Sequence, residues 1–213
     1  MDRVEEKPLV SGNTPSRANA PAGRSAASKR ELVLDAAIEV LGTRGPRALT
    51  HRAVDEAAAV PTGTTSNYFR TREALLIGVT ERLEQRDYAD WAALTAAPTP
   101  DSVDALAADL TRFVVHAVTA DHTRTLARYA LLLEAQTAPA LLESLRRGHL
   151  RLTEWAGTML GGLGADASVT TAVVDYLEGV IMHRLGAPRA DEDPGPQMRR
   201  MLAALIGPPD TER

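Results

Sequence analysis

Between Thr50 and Arg72 the chain concentrates side chains that give and take hydrogen bonds but have no partner for covalent chemistry. Thr62, Thr64, Ser66 and Asn67 are small and polar. Their hydroxyl and amide groups suit the edges of nucleobases: an asparagine can pair bidentately with adenine, and a threonine methyl can touch a thymine methyl. Thr50, Arg52, Arg70 and Arg72 fall at helix starts and edges, where phosphate oxygens are met, and the Tyr68 hydroxyl can serve the same end. Pro61, Thr62 and Gly63 open a helix whose free amides and dipole favour an anion. Each assignment has a plainer rival. The threonines can cap their own helices, and Arg52 can lie on a solvated face.

Other chemistry is thinly represented. The chain has no cysteine, which removes disulfides, thiolate catalysis and cysteine-ligated zinc. His51, His116, His122, His149 and His183 form no His-x-x-x-His pair and no His-Glu metal motif. There is no Gly-x-Ser-x-Gly elbow and no glycine-rich phosphate loop after a strand. An enzyme is therefore not expected, nor a metal, nor a cofactor.

The elements that must position the polar cluster are helical. Apolar residues make up 44% of the 213 but aromatics only 4%, a composition that favours helices over sheets. Thr50 is placed to cap a helix whose Ala53, Val54, Ala57 and Ala58 form a narrow stripe, and small side chains there let another helix approach. Ala59-Val60-Pro61 breaks the pattern, with Pro61 fitting the first turn of the next helix. Tyr68-Phe69 closes that short helix, Phe69 towards the core. Thr71 then caps a longer one, with Glu73 in its first turn. Helix, tight turn and short polar helix together make the arrangement whose second helix enters the major groove. Net charge is −4, but from Arg24 to Arg72 eight cations face five anions, so the positive surplus sits at this end.

In chain order, residues 1–27 are rich in Pro, Ser, Gly, Ala and Asn without an apolar period. They read as a disordered arm, or more sharply as one whose Arg17 and Arg24 reach phosphates or the minor groove. Ser28-Lys29-Arg30-Glu31 is a capping-box signature opening the first helix. Its rows Leu32, Ala36, Val40 and Val33, Ala37, Leu41 face a core, and Gly42, Gly45 and Pro46 stop it. The fourth helix runs from Thr71 to about Thr95. After Ala96-Ala97-Pro98-Thr99-Pro100 come five more helical patterns. They begin near Asp101, Asp121 (a cap), Pro139, Asp166 or Ser168, and Pro194-Gly195-Pro196. The expected divisions are 28–72 for the helix-turn-helix, 73–207 for a second helical part and 208–213 for a tail. No run reaches the roughly 20 apolar residues of a membrane span, and the amino terminus lacks a signal-peptide plan. A cytoplasmic protein is expected.

Over Ser28 to Leu83 the chain resembles the TetR family of transcriptional repressors. The shared residues are Leu49-Thr50, the run Ala57-Ala58-Ala59-Val60, Gly63, Tyr68-Phe69 and Thr71-Arg72-Glu73-Ala74-Leu75. Three positions depart from that family's pattern. Ala59 stands where the turn usually has glycine, Thr62 where lysine is common, and Ser66-Asn67 where an aromatic pair is common. The resemblance implies an all-α, nine-helix fold, with three helices reading DNA and the remainder dimerising and binding a ligand. It implies a homodimer through the last two helices, which would put Val173, Leu177, Val180 and Ile181 with Met198, Met201, Leu202 and Leu205 at the interface. Their width of apolar face points the same way, although packing within one chain would also explain it. It further implies a double-stranded DNA operator of pseudo-palindromic form and a small-molecule effector. The pocket would be lined by Trp91, Phe113, His116, Arg128, Tyr129, Glu134, Trp155 and His183. A core role for the aromatic residues is the rival reading there. The rival to the whole is a dimeric helical protein that binds DNA constitutively, or binds a partner protein, without an effector.

Overall fold

The computed structural model describes residues 28–95, 99–187 and 192–207, with side chains described for all of these except 91–95. The expected arm with Arg17 and Arg24, the break at 96–98, the tail and the Trp91 side chain lie outside the described residues. Those residues form nine α-helices: α1 Lys29–Arg44, α2 His51–Ala57, α3 Thr64–Tyr68, α4 Arg72–Thr95, α5 Val103–Val118, α6 His122–Ala135, α7 Pro139–Gly161, α8 Ala167–Gly186 and α9 Gly195–Leu205. One short 3-10 turn, Pro46–Ala48, was not anticipated.

Local chemistry accounts for most of the boundaries. Ser28 and Glu31 close a full capping box on α1. Thr50 accepts from the Ala53 amide at 3.1 Å and Thr71 from the Ala74 amide at 3.1 Å. Ser102 and Asp166 cap α5 and α8 in the same way. Asp121 stands at the N-cap of α6 as expected, but its carboxylate takes Arg124 at 2.6 Å rather than an amide. Gly42 does not end α1 but lies inside it, and Leu32 is exposed rather than core-facing. Pro61 lies in the turn ahead of α3 rather than in its first turn, and the helix starts three residues later.

Ala59 adopts φ 52°, the left-handed region that an L side chain enters at a cost. Ala59→Gly is therefore expected to stabilise the fold by about 0.5 to 1 kcal/mol, the relieved strain less the entropy glycine adds to the unfolded chain. A denaturant midpoint that rises at constant slope is the check.

The apolar residues segregate into two cores. The first joins Val33, Leu34, Leu41, Val54, Phe69, Leu75 and Val79 to Ala127, Leu131 and Ala135 of α6 and Leu141 of α7. The expected boundary at 72 thus falls inside this core. Where the last turn of α1 meets the first turn of α6, the helices approach so closely that a Cβ on Gly42 would overlap the Thr123 carbonyl oxygen. The second core gathers Leu106, Val114, Leu160, Val173, Ile181, Met198 and Leu202 from α5, α7, α8 and α9.

Helix α4 passes between the neighbouring helices on ion pairs. Arg82 grips both oxygens of Asp35 at 2.7 and 3.0 Å and also reaches Glu31 at 3.1 Å. Asp87 pairs with Arg128 at 2.7 Å, Asp90 with Arg124 at 2.5 Å and Glu84 with Arg151 at 2.5 Å. Burial pushes the Asp87 carboxyl up from its usual range, a rise that Arg128 and Arg124 oppose.

Candidate nucleic-acid interface

The short helix α3 is set by its buried side. Thr65 is fully buried, and Phe69 just beyond the helix is 5% exposed in the first core. The Arg30 guanidinium lies 5.3 Å over the Phe69 ring. With Thr65 inward, the roughly 100° per residue of an α-helix turns Asn67 to the opposite side and leaves Thr64 and Ser66 flanking it. Ser66, Asn67 and Tyr68 are indeed exposed, as are Thr62 and Pro61 beside them. Two of the hydroxyls are already directed. Thr64 donates to the Pro61 carbonyl at 2.5 Å and Ser66 to that of Gly63 at 2.9 Å, so both present their oxygens outward as acceptors. Gly63 is the N-cap at φ 93°, a conformation that explains glycine there.

The basic residues divide. Arg70 is exposed and in no ion pair among the described residues. Arg52 is exposed but shared with Glu56 at 3.1 Å, one turn along α2. Arg72 is engaged: it donates to Glu134 of α6 at 2.6 Å and to the Pro46 carbonyl at 2.9 Å. The structure thus ties Arg72 to α6 and the 3-10 turn, where the sequence suggested a phosphate. It likewise takes Glu134 out of the expected pocket.

Two residues beneath this surface were missed by sequence reasoning. Asp55 is 2% exposed, and its two carboxylate oxygens take the Gly63 amide at 2.7 Å, the Thr65 amide at 2.8 Å and the Thr65 hydroxyl at 2.5 Å. Burial alone would raise this acid. The hydroxyl and the two amides outweigh it and hold the group below the usual carboxylate range. His51 donates from Nε2 to the Phe69 carbonyl at 2.7 Å. Asp55 stands beside Glu56 and one turn after His51 and Arg52, outside the apolar stripe of α2, so nothing in its local spacing marked it as buried.

The other expected sites are less gathered. Phe113, His116 and His183 lie at the surface, and His183 bonds the Gly179 carbonyl of its own helix at 2.8 Å. Arg128 is taken up by Asp87, and Tyr129 donates to Glu178 at 2.8 Å. Trp155 is half-buried against the second core. A groove of about 320 Å³ between α7 and the start of α8, lined by Leu150, Thr153, Glu154, Gly157, Asp166 and Thr170 among others, holds none of these residues. Of the residues expected between subunits, Val173, Ile181, Met198 and Leu202 are buried in the chain's own second core, because α8 and α9 both pack on α5. Leu177, Val180 and Met201 are half-buried, while Leu205 is exposed.

A buried helix that presents a second, short polar helix to solvent, on a larger helical body, is the architecture of a helix-turn-helix DNA-binding regulator. Residues 33–79 match the family model for bacterial regulatory proteins of the tetR family, and residues 101–208 match that for the tetracyclin repressor-like C-terminal domain. The HTH-type transcriptional regulator BetI of Brucella canis is 30% identical over 189 residues, covering 76% of this chain and 94% of that one. The multidrug binding protein EbrR, solved with ethidium, superimposes with a TM-score of 0.67 at 26% identity, covering 84% of this chain and 99% of that chain. A TetR family member from Streptomyces coelicolor A3 does so with 0.66 at 27%, over the same shares. The chain belongs to the TetR family of helix-turn-helix transcriptional regulators. No described helix is long and apolar enough to cross a membrane.

Proposed function

We propose that the chain is a ligand-responsive repressor that binds a pseudo-palindromic operator as a homodimer and leaves it when a small molecule binds. The observation that carries this is the exposed face of α3 opposite the buried Thr65. On and beside it Asn67 pairs with an adenine edge, Thr64 and Ser66 accept at neighbouring edges, Thr62 accepts or donates, and Tyr68, Thr50, Arg52 and Arg70 hold phosphates. Pro61 and Gly63 bring the backbone close. Two copies related by a two-fold axis, meeting near Leu177, Val180, Met201 and Leu205, read half-sites about one helical turn apart. EbrR binds ethidium and, in other crystals, proflavin and malachite green. That supports an organic effector, for which Arg128, Tyr129 and Trp155 in the second part of the chain supply polar and aromatic groups.

Selection of bound sequences from a random duplex pool at about 0.1 M salt tests the operator. Enrichment of an inverted repeat supports the reading, and sequence-blind, salt-sensitive binding alone would overturn it. A thermal-shift series with planar aromatic compounds tests the effector, since a ligand of the folded state raises the melting temperature. Within the selected operator, Asn67→Ala is expected to lose roughly 1 to 3 kcal/mol of discrimination at one base pair. Titration against duplexes varied at each position shows whether the loss is confined there.

A further inference from the structure

We infer that His51 and Asp55 are a two-point clamp that fixes the recognition helix on α2, Asp55 holding its first turn and His51 its end. The inference rests on the reading of α3 as the base-contacting helix.

Helix α3 has five residues, far too few to be stable alone. Its N-cap is Gly63, which brings no side chain to the free amides of the first turn. The neighbouring hydroxyls do not fill the gap: those of Thr64 and Ser66 donate to the Pro61 and Gly63 carbonyls, and no described amide donates to either oxygen. Asp55 fills it from another helix: one oxygen takes the Gly63 amide, the other the Thr65 amide and hydroxyl. No other partner of the Gly63 amide is described. At the far end, the amide of Phe69 donates to the Thr65 carbonyl at 2.9 Å, while the Phe69 carbonyl accepts from His51 Nε2 at 2.7 Å.

The spacing fits the task. His51 and Asp55 are four residues apart on α2, so their side chains leave one face about 6 Å apart. Five residues of α3 rise about 7.5 Å. The difference is within the reach of the two side chains, so one helical turn of α2 can bind both ends of α3. Asp55 is too deeply buried to touch DNA, and His51 is half-buried. Both are positioning residues: they set where Thr64, Ser66 and Asn67 point.

The test has two readouts. Hydrogen exchange on the free protein is expected to show loss of protection at Gly63 and Thr65 in Asp55→Ala, with the amides of α9 unchanged. In binding, Asp55→Ala and His51→Ala should each weaken the duplex selected by the wild type by about tenfold or more, the scale of a lost base contact. Affinity for an unrelated duplex should stay within about twofold, because phosphate contacts carry it. His51→Gln, whose amide can still donate to Phe69, should bind close to wild type. If Asp55→Ala does not fold, Asp55→Asn, with one accepting oxygen left, is expected to deprotect the turn partially. Unchanged exchange at Gly63 and Thr65 overturns the clamp. So does a parallel fall in operator and unrelated binding, which would assign these residues to general stability. A wild type that selects no sequence refutes the operator reading instead, and the exchange result still decides the clamp.

Discussion

Gly42→Ala is expected to destabilise the protein by about 3 kcal/mol or more, although alanine is the better helix former. The new methyl carbon would overlap the Thr123 carbonyl oxygen and lie 2.8 Å from both its carbonyl carbon and its Cγ2. Carbonyl groups in the first turn of α6 cannot swing aside as the end of a long side chain can. The crossing of α1 and α6 must open, and the fully buried Ala37, Leu34 and Ala127 loosen with it. For a chain of this size the shift in melting temperature should be about 6 to 12 °C. Thermal and denaturant unfolding of the variant measure it. A variant as stable as the wild type would mean that the two helices slide apart at little cost.

Leu131→Ala should cost about 2 to 5 kcal/mol, the range for removing a buried leucine. Leu131 is fully buried on α6, yet its neighbours are the residues of the DNA-reading helices. Its loss should therefore deprotect amides of α1 and α2, with α5 and α9 spared. Met198→Ala, an equally buried change in the second core, should do the reverse. Hydrogen exchange followed residue by residue separates the two patterns. Equal deprotection in both variants would show that the chain melts as one unit.

What could be read from sequence was governed by local physics. Ser28 with Glu31, Thr50 and Thr71 act on amides three residues away, so their roles follow from spacing alone. Ala59 was singled out by the resemblance, which puts glycine at that place in the turn, and its φ of 52° shows why glycine suits it. Partners distant in the chain were not legible. Arg72 and Glu134 are 62 residues apart, and nothing near either one announces the other. Gly42 looked like a helix stop because the carbonyl it accommodates belongs to α6. Val173, Ile181, Met198 and Leu202 gave the apolar stripe of an interface, but periodicity cannot tell which helix covers a stripe. Here α5 does. Asp55 escaped notice for the same reason, since its three donors lie eight and ten residues away across a turn.

The placement of α6 in the first core bears on how such regulators diversify. A recombination that exchanged only the segment before residue 73 would import a DNA reader shaped for a different sixth helix. Ala127, Leu131, Ala135 and the Thr123 carbonyl would then face a surface they were not fitted to. New operator preferences in this lineage should arise by point changes on the outward side of α3, whereas whole readers travel only with the helix that lies some 50 residues downstream of them.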